Sequence, residues 1–150
     1  MDNGSTPFNT VLTSMSDMIT EIAIPRKIVQ NLLHHAQQTP EQEVCGLISS
    51  TNDIPCHCYP IKNTANQPEL FFNLDAQQQI QAMATMRNKQ EQLFAIYHSH
   101  PSAPAIPSST DLEQANYPDA LYLIISLNTK GVLEVRGYQI NEAHFIEVAL

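Results

Sequence analysis

Two stretches of the chain repeat apolar residues with the period of a helix. Val29, Leu32, Leu33 and Ala36 fall at i, i+3, i+4 and i+7, which sets them on one helical face and leaves His34 solvated. Pro25 suits the first position of that helix, where its missing N–H costs nothing, and Thr39-Pro40 ends it. Ala76, Ile80, Met83 and Ala84 predict a second helix over about Asp75–Gln90, capped by Asn73 or Asp75, with its Gln-rich face in water. Elsewhere the pattern is that of strands. Ile19–Ile24 alternates, Val44–Ser50 (VCGLISS) and Ile54–Ile61 read as strands, and Glu69–Asn73 as a short one after the turn residues Asn63 to Pro68. Leu93–Tyr97 (LFAIY) and Leu121–Ile125 (LYLII) are unbroken apolar runs, as expected of strands covered on both faces. Between them lies a Pro- and Ser-rich loop and one short helix, for which Thr110 and Glu113 fit a capping box. Val132–Ile140 and His144–Leu150 follow a turn at Asn128 to Gly131. This order predicts a single α/β domain over residues 19–150, a central, mostly antiparallel, curved sheet with helices on both sides. Residues 1–18 are rich in Ser, Thr, Asn and Asp and predict a tail or loosely docked arm.

Composition narrows the class. A domain of 150 residues buries roughly 68–70% of its unfolded surface, enough for a core without disulfide staples. Seven Lys+Arg against fifteen Asp+Glu give a net charge of −8. That argues against a nucleic-acid backbone and against an anionic membrane surface as partners, though not against a protein. Three cysteines are too few and odd in number for a secreted disulfide framework. No apolar run approaches the ~18 residues of a membrane span. The first eighteen residues lack a basic n-region and an unbroken apolar h-region. A cytoplasmic, reduced-compartment protein is expected.

The chemistry concentrates between His98 and Asp111. His98 and His100 stand at i and i+2 at the end of a buried strand, so their rings share one side. Asp111 follows at a helix N-terminus, where the dipole favours its ionised form. Pro101, Pro104 and Pro107 stiffen the loop between them. Two neutral imidazoles and one carboxylate make a catalytic type of zinc site with a fourth position open to water. Such a site also needs a proton acceptor, and spacing does not choose one among fifteen acidic residues.

The stretch HSHPSAPAIPSSTD resembles the H-x-H-P-x(6)-S-x-x-D pattern of the JAMM metallopeptidases, the MPN-plus or JAB-domain family. His98, His100, Pro101, Ser108 and Asp111 fall in register, and Glu43-Val44-Cys45-Gly46-Leu47 matches the family's upstream E-x-C-G-[LI] element. The resemblance covers about residues 19 to 140. It implies a JAB/MPN-like (cytidine-deaminase-like) architecture and one zinc ion held by His98, His100 and Asp111. It makes Glu43 the residue that holds the metal's water, acting as general base and then acid. Ser108 becomes the donor to the oxyanion. Ser99 should point away from the histidines and take no direct chemical part. The implied reaction is hydrolysis of an amide or isopeptide bond at the tail of a ubiquitin-like protein. Only Leu112 to Pro118 separates Asp111 from the next strand, leaving no room for an insertion that clamps a second ubiquitin. The chain is thus similar to minimal prokaryotic members, some of which act on sulfur-carrier proteins. A carrier's diglycine-type tail could bind by pairing with strands flanking the site. Two alternatives stay open: a peptidase for cell-wall or phage-tail peptides, and a non-catalytic MPN-type scaffold. RadC proteins share an HxHP element but typically read HNHP and carry an added helical domain.

Other candidates carry less. Cys56-His57-Cys58 lacks the spacing and second ligand pair of a structural zinc site. In a regular strand Cys56 and Cys58 share one face and His57 takes the other. Cys45 reads as a small buried apolar residue.

Overall fold

A computed structural model describes residues 21–128 and 132–150. Helix α1 (Arg26–Gln38) leads into strands β1 (Cys45–Thr51) and β2 (Ile54–Ile61). Helix α2 (Ala76–Asn88) and strand β3 (Gln92–His100) follow, then the short helix α3 (Ser109–Gln114). Strands β4 (Leu121–Ser126), β5 (Glu134–Asn141) and β6 (His144–Val148) close the chain. The strands form one sheet in the order β2-β1-β3-β4-β5-β6. Every neighbouring pair is antiparallel except β3 and β4, which run parallel and are joined through α3. The expected mixed sheet between helices is what the chain forms.

One face of the sheet takes α1. Its Ile28, Leu32 and Ala36 join Ile48, Ala95, Tyr97, Leu123 and Ile125 in a buried cluster. Val29 and Leu33, expected on the buried face, are only half-buried, and Pro25 caps the helix from outside instead of occupying its first turn. The other face takes α2, whose Ala82 and Met86 pack with Leu47, Ile96, Tyr122 and Ile124. Here the expected face is only partly right, for Met83 packs half-buried against this cluster. Ile80 is 69% exposed and Ala76 is exposed, while Ala82 and Met86 are buried. The helix carries small apolar residues on more than one side, and the floor of Leu47, Ile61 and Ile96 selects which side turns in.

Three further expectations change. Glu69–Asn73 forms no strand; that segment is a loop tied by a single bridge between Asn63 and Leu74. Glu21 makes only an isolated bridge to Ala149, and the rest of the expected Ile19–Ile24 strand that is described is not strand; residues 19 and 20, like the expected arm over residues 1–18, lie outside the described residues. The short helix begins with a capping box of Ser108 and Asp111, not of Thr110 and Glu113, because Asp111 is the third helical residue. Gly46 explains itself by contact. A Cβ there would lie 2.5 Å from the Tyr97 hydroxyl and 2.6 Å from the Tyr59 carbonyl. Among the described residues no helix is long and apolar enough to cross a membrane.

Candidate active site

The site lies where β3 ends. Both neighbours of β3 are in place there, Cys45 paired with His98 on one side and Ile124 with His98 on the other. His98 and His100 are buried and their rings face one another, Nε2 to Nε2, at 3.1 Å. Asp111 Oδ2 stands 3.1 Å from His98 Nε2 and 3.2 Å from His100 Nε2. The three atoms form a nearly equilateral triangle. Tetrahedral ligands at metal distances of about 2.0–2.1 Å are about 3.3 Å apart, so the triangle has the size of three corners of such a site.

The tautomer of His100 agrees with this. The carbonyl of Pro104 accepts from His100 Nδ1 at 2.7 Å. A carbonyl can only accept, so Nδ1 carries the hydrogen and neutral His100 turns a lone pair inward at Nε2. At His98, burial pushes the imidazole pKa down and holds it neutral. Burial acts the same way on His100, but hydrogen bonds to Asp111 and the Pro104 carbonyl outweigh it and raise its pKa. Asp111 is held far below the usual carboxylate range: its burial is overcome by the facing imidazoles of His100 and His98 and by a hydrogen bond from the Ser108 backbone N–H, 2.9 Å away. Three electron-rich atoms within 3.2 Å of one another call for a cation at their centre, so the residues fit a zinc-type ion.

Glu43 completes the group. A carboxylate oxygen of Glu43 and ring nitrogens of His98 and His100 lie within 4.8 Å of one another. Its Oε1 is buried with no hydrogen-bond partner among the described residues. Burial pushes its pKa up to about 8, with His100 opposing and Asp111 adding to the rise. A carboxyl tuned towards neutrality is suited to take a proton and return it. Its backbone is clamped on two sides. Glu43 N–H donates to the Pro68 carbonyl at 2.7 Å, and Asn63 Nδ2 donates to the Glu43 carbonyl at 2.9 Å. Asn63 also donates to Phe71 O and accepts from the backbone N–H groups of Ala65 and Asn73, so one side chain organises the whole loop.

Ser108 is exposed and its Oγ accepts from Asp111 N–H at 3.0 Å. The hydroxyl hydrogen remains free to donate outward. Ser99 does face away from the histidines, as expected. Its buried Oγ accepts from Val44 N–H at 2.8 Å, and its own N–H donates to Val44 O at 3.0 Å. Through Val44 it fixes the approach to Glu43, a positioning part that the sequence did not reveal. Two further neighbours were also hidden. Phe72 stacks on the His98 ring at a centroid distance of 4.3 Å, and the Pro104 carbonyl orients His100. No periodicity marks Phe72, because its loop belongs to no regular element. Beside the Phe72 ring opens a cavity of about 490 Å³, lined in part by Leu74, Gln79, Ile96, Tyr117 and Tyr122.

Residues 25–138 match the family of prokaryotic homologs of the JAB domain. A CysO-cysteine peptidase of Mycobacterium tuberculosis is 31% identical over 121 residues, spanning 79% of this chain and 82% of that relative. A desampylase of Haloferax volcanii is 30% identical over 102 residues, 64% of this chain and 73% of the relative. Among solved structures, the crystal structure of a JAB1/MPN domain protein from Archaeoglobus fulgidus aligns with a TM-score of 0.57 at 16% identity, over 85% of this chain and 97% of that one. The fold is therefore that of the JAB/MPN domains. The chain belongs to the prokaryotic JAB family, and it is a JAMM-type peptidase.

Proposed function

We propose that the chain hydrolyses, with zinc, an amide or isopeptide bond at the C-terminal tail of a small ubiquitin-like or sulfur-carrier protein, releasing an amino acid or short peptide. The observation that carries this reading is the triangle of His98, His100 and Asp111 with the unpartnered Glu43 carboxylate beside it. The two similar peptidases, one a CysO-cysteine peptidase and one a desampylase, support the substrate class.

His98 Nε2, His100 Nε2 and Asp111 Oδ2 would hold the zinc. Zinc supplies Lewis-acid polarisation of a carbonyl and lowers the pKa of coordinated water to about 7. Glu43 takes the proton from the attacking water at its free carboxylate oxygen and delivers it to the leaving amine. Ser108, held by Asp111 N–H, donates its hydroxyl hydrogen to the oxyanion of the tetrahedral intermediate. Phe72, stacked on the His98 ring, shields that face of the imidazole from water.

A tail that pairs with the sheet near the site would do so on β2, whose Ile61 lies opposite Cys45 at the same end as His98. Both edges of β3 are already occupied by β1 and β4, and among the described residues β2 and β6 are the outer strands of the sheet. A tail reaching the site passes the loop of Asn63 to Leu74, which holds Glu43 and stacks Phe72 on His98. Glycine residues suit such a path because they need no pocket of their own. Mass spectrometry of a carrier protein with a short C-terminal extension, incubated with zinc-loaded enzyme, tests the reading. Loss of the extension is expected. Extended carriers left intact while ubiquitin chains are cut would overturn the substrate class and leave the peptidase standing.

A further inference from the structure

We propose that Cys56, His57 and Glu91 form a second metal site, at the opposite end of the sheet from the histidine pair, for a divalent ion of the zinc type. A thiol sulfur, an imidazole nitrogen and a carboxylate oxygen from these residues lie within 4.8 Å of one another. A regular strand would not allow this, because adjacent residues point to opposite faces. The strand is irregular here. Ser49 pairs with His57 and Ser50 with Pro55, so Cys56 is an extra residue between them. This bulge re-aims Cys56 onto the face of His57, where its sulfur lies 3.6 Å from the hydroxyls of both Ser49 and Thr51. The alternation expected for Cys56-His57-Cys58 is thereby broken. Cys58 alone turns to the other face, against the Tyr97 hydroxyl at 3.5 Å.

The third ligand comes from far along the chain. Glu91 follows the C-terminal end of α2, its N–H donating to Met86 O at 2.7 Å. That end of a helix favours a cation. The Glu91 side chain is 4% exposed and that of His57 is 52% exposed. The carboxylate is thus fixed below and the imidazole opens the site to solvent, so ions can enter and water can complete the shell. Tyr59 donates to Glu91 Oε1 at 2.8 Å, while Oε2 faces His57 Nδ1 at 2.6 Å. Oε1 is held by Tyr59 and Oε2 is the oxygen that turns towards His57. Among the described residues no Lys or Arg pairs with Glu91; its ion-pair partner is His57. Ion binding replaces the proton shared by His57 and Glu91 and releases the thiol proton of Cys56. Sulfur, imidazole and carboxylate together suit zinc or cobalt in preference to magnesium or calcium. The site stands on the order of 20 Å from His98 along β3, so it works apart from the peptide-cleaving centre.

Cobalt distinguishes the two centres, because only this one offers a thiolate. The metal-free full chain is titrated with Co²⁺ and followed in the near ultraviolet. Two equivalents per chain are expected, one of them bringing a sulfur-to-cobalt charge-transfer band. Cys56→Ser and His57→Ala should each bind one equivalent and lose the band. Circular dichroism and the urea midpoint of both metal-free variants, matched to the parent, separate site loss from misfolding. Absence of the band at any stoichiometry, or its survival in Cys56→Ser, overturns the proposal.

Discussion

Glu43 and Ser99 act on the same few ångströms from opposite directions. Glu43 offers a buried carboxylate oxygen with no partner among the described residues, and Ser99 holds the backbone one residue along. Glu43→Gln keeps the shape and removes the proton acceptor. Zinc content should stay at the parent level while hydrolysis falls by about 10²–10⁴-fold. Metal lost from this variant would make Glu43 a ligand instead of a proton carrier. Ser99→Ala leaves Val44 N–H buried and unsatisfied, at a cost of about 1–3 kcal/mol. Displacement of Glu43 should then lower turnover about 10- to 100-fold. Zinc content should hold, and Ser99→Thr should restore turnover. Equal stability loss in Ser99→Ala and Ser99→Thr with unchanged turnover would reduce Ser99 to a packing residue. The sequence placed Ser99 on the right face through the two-residue period of a strand, but not its partner. Val44 precedes it by 55 residues.

At the scale of elements, β1 depends on a glycine for its place. Gly46 lies beneath the Tyr97 hydroxyl, which also meets His35 Nδ1 of α1 at 2.7 Å and Cys58 of β2. One tyrosine thus joins the helix, β1, β2 and the strand that carries the histidines. Gly46→Ala drives a methyl into that junction, and a backbone carbonyl on one side cannot yield. A loss of about 1–3 kcal/mol is expected from overpacking, read as a lower urea midpoint at constant slope. A neutral outcome would show that Tyr97 can swing aside. Among the elements, the sequence located α1, β1, β2, β3 and β4 within a residue or two at most of their ends, except that β3 runs on from Tyr97 to His100. Strong apolar periodicity or unbroken apolar runs are local signals. It misjudged part of the buried face of α2 because Ala and Met there occur on several sides, and only contact with Leu47, Ile61 and Ile96 breaks the tie.

For the whole molecule, zinc at the histidine site should couple to folding, since the residues that would hold it come from β3 and from α3 across a loop. Binding to the native state alone adds about 4 kcal/mol at a thousandfold excess over Kd. In a Cys56→Ser background, chelation should therefore lower the thermal midpoint by about 8–16 °C, at about 2–4 °C per kcal/mol for a chain of this size. Asp111→Asn should start low and shift little on chelation. An equal shift in both proteins would place the stabilising ion elsewhere. The sequence by itself named His98, His100 and Asp111 as candidate ligands, and the structure brings their side chains together. His98 and His100 share a side through strand geometry, and Asp111 is delivered by eleven residues of stiff loop and the helix turn it caps. These are short-range properties of backbone and spacing. It also carried the Glu43 element by family resemblance, but not the contact itself. Cys45 opposite His98, the bulge at Cys56 and the meeting of Glu91 with His57 were decided by tertiary structure alone. Each depends on the register between segments tens of residues apart, which is set by how whole faces of the sheet pack and not by any residue's neighbours in the chain.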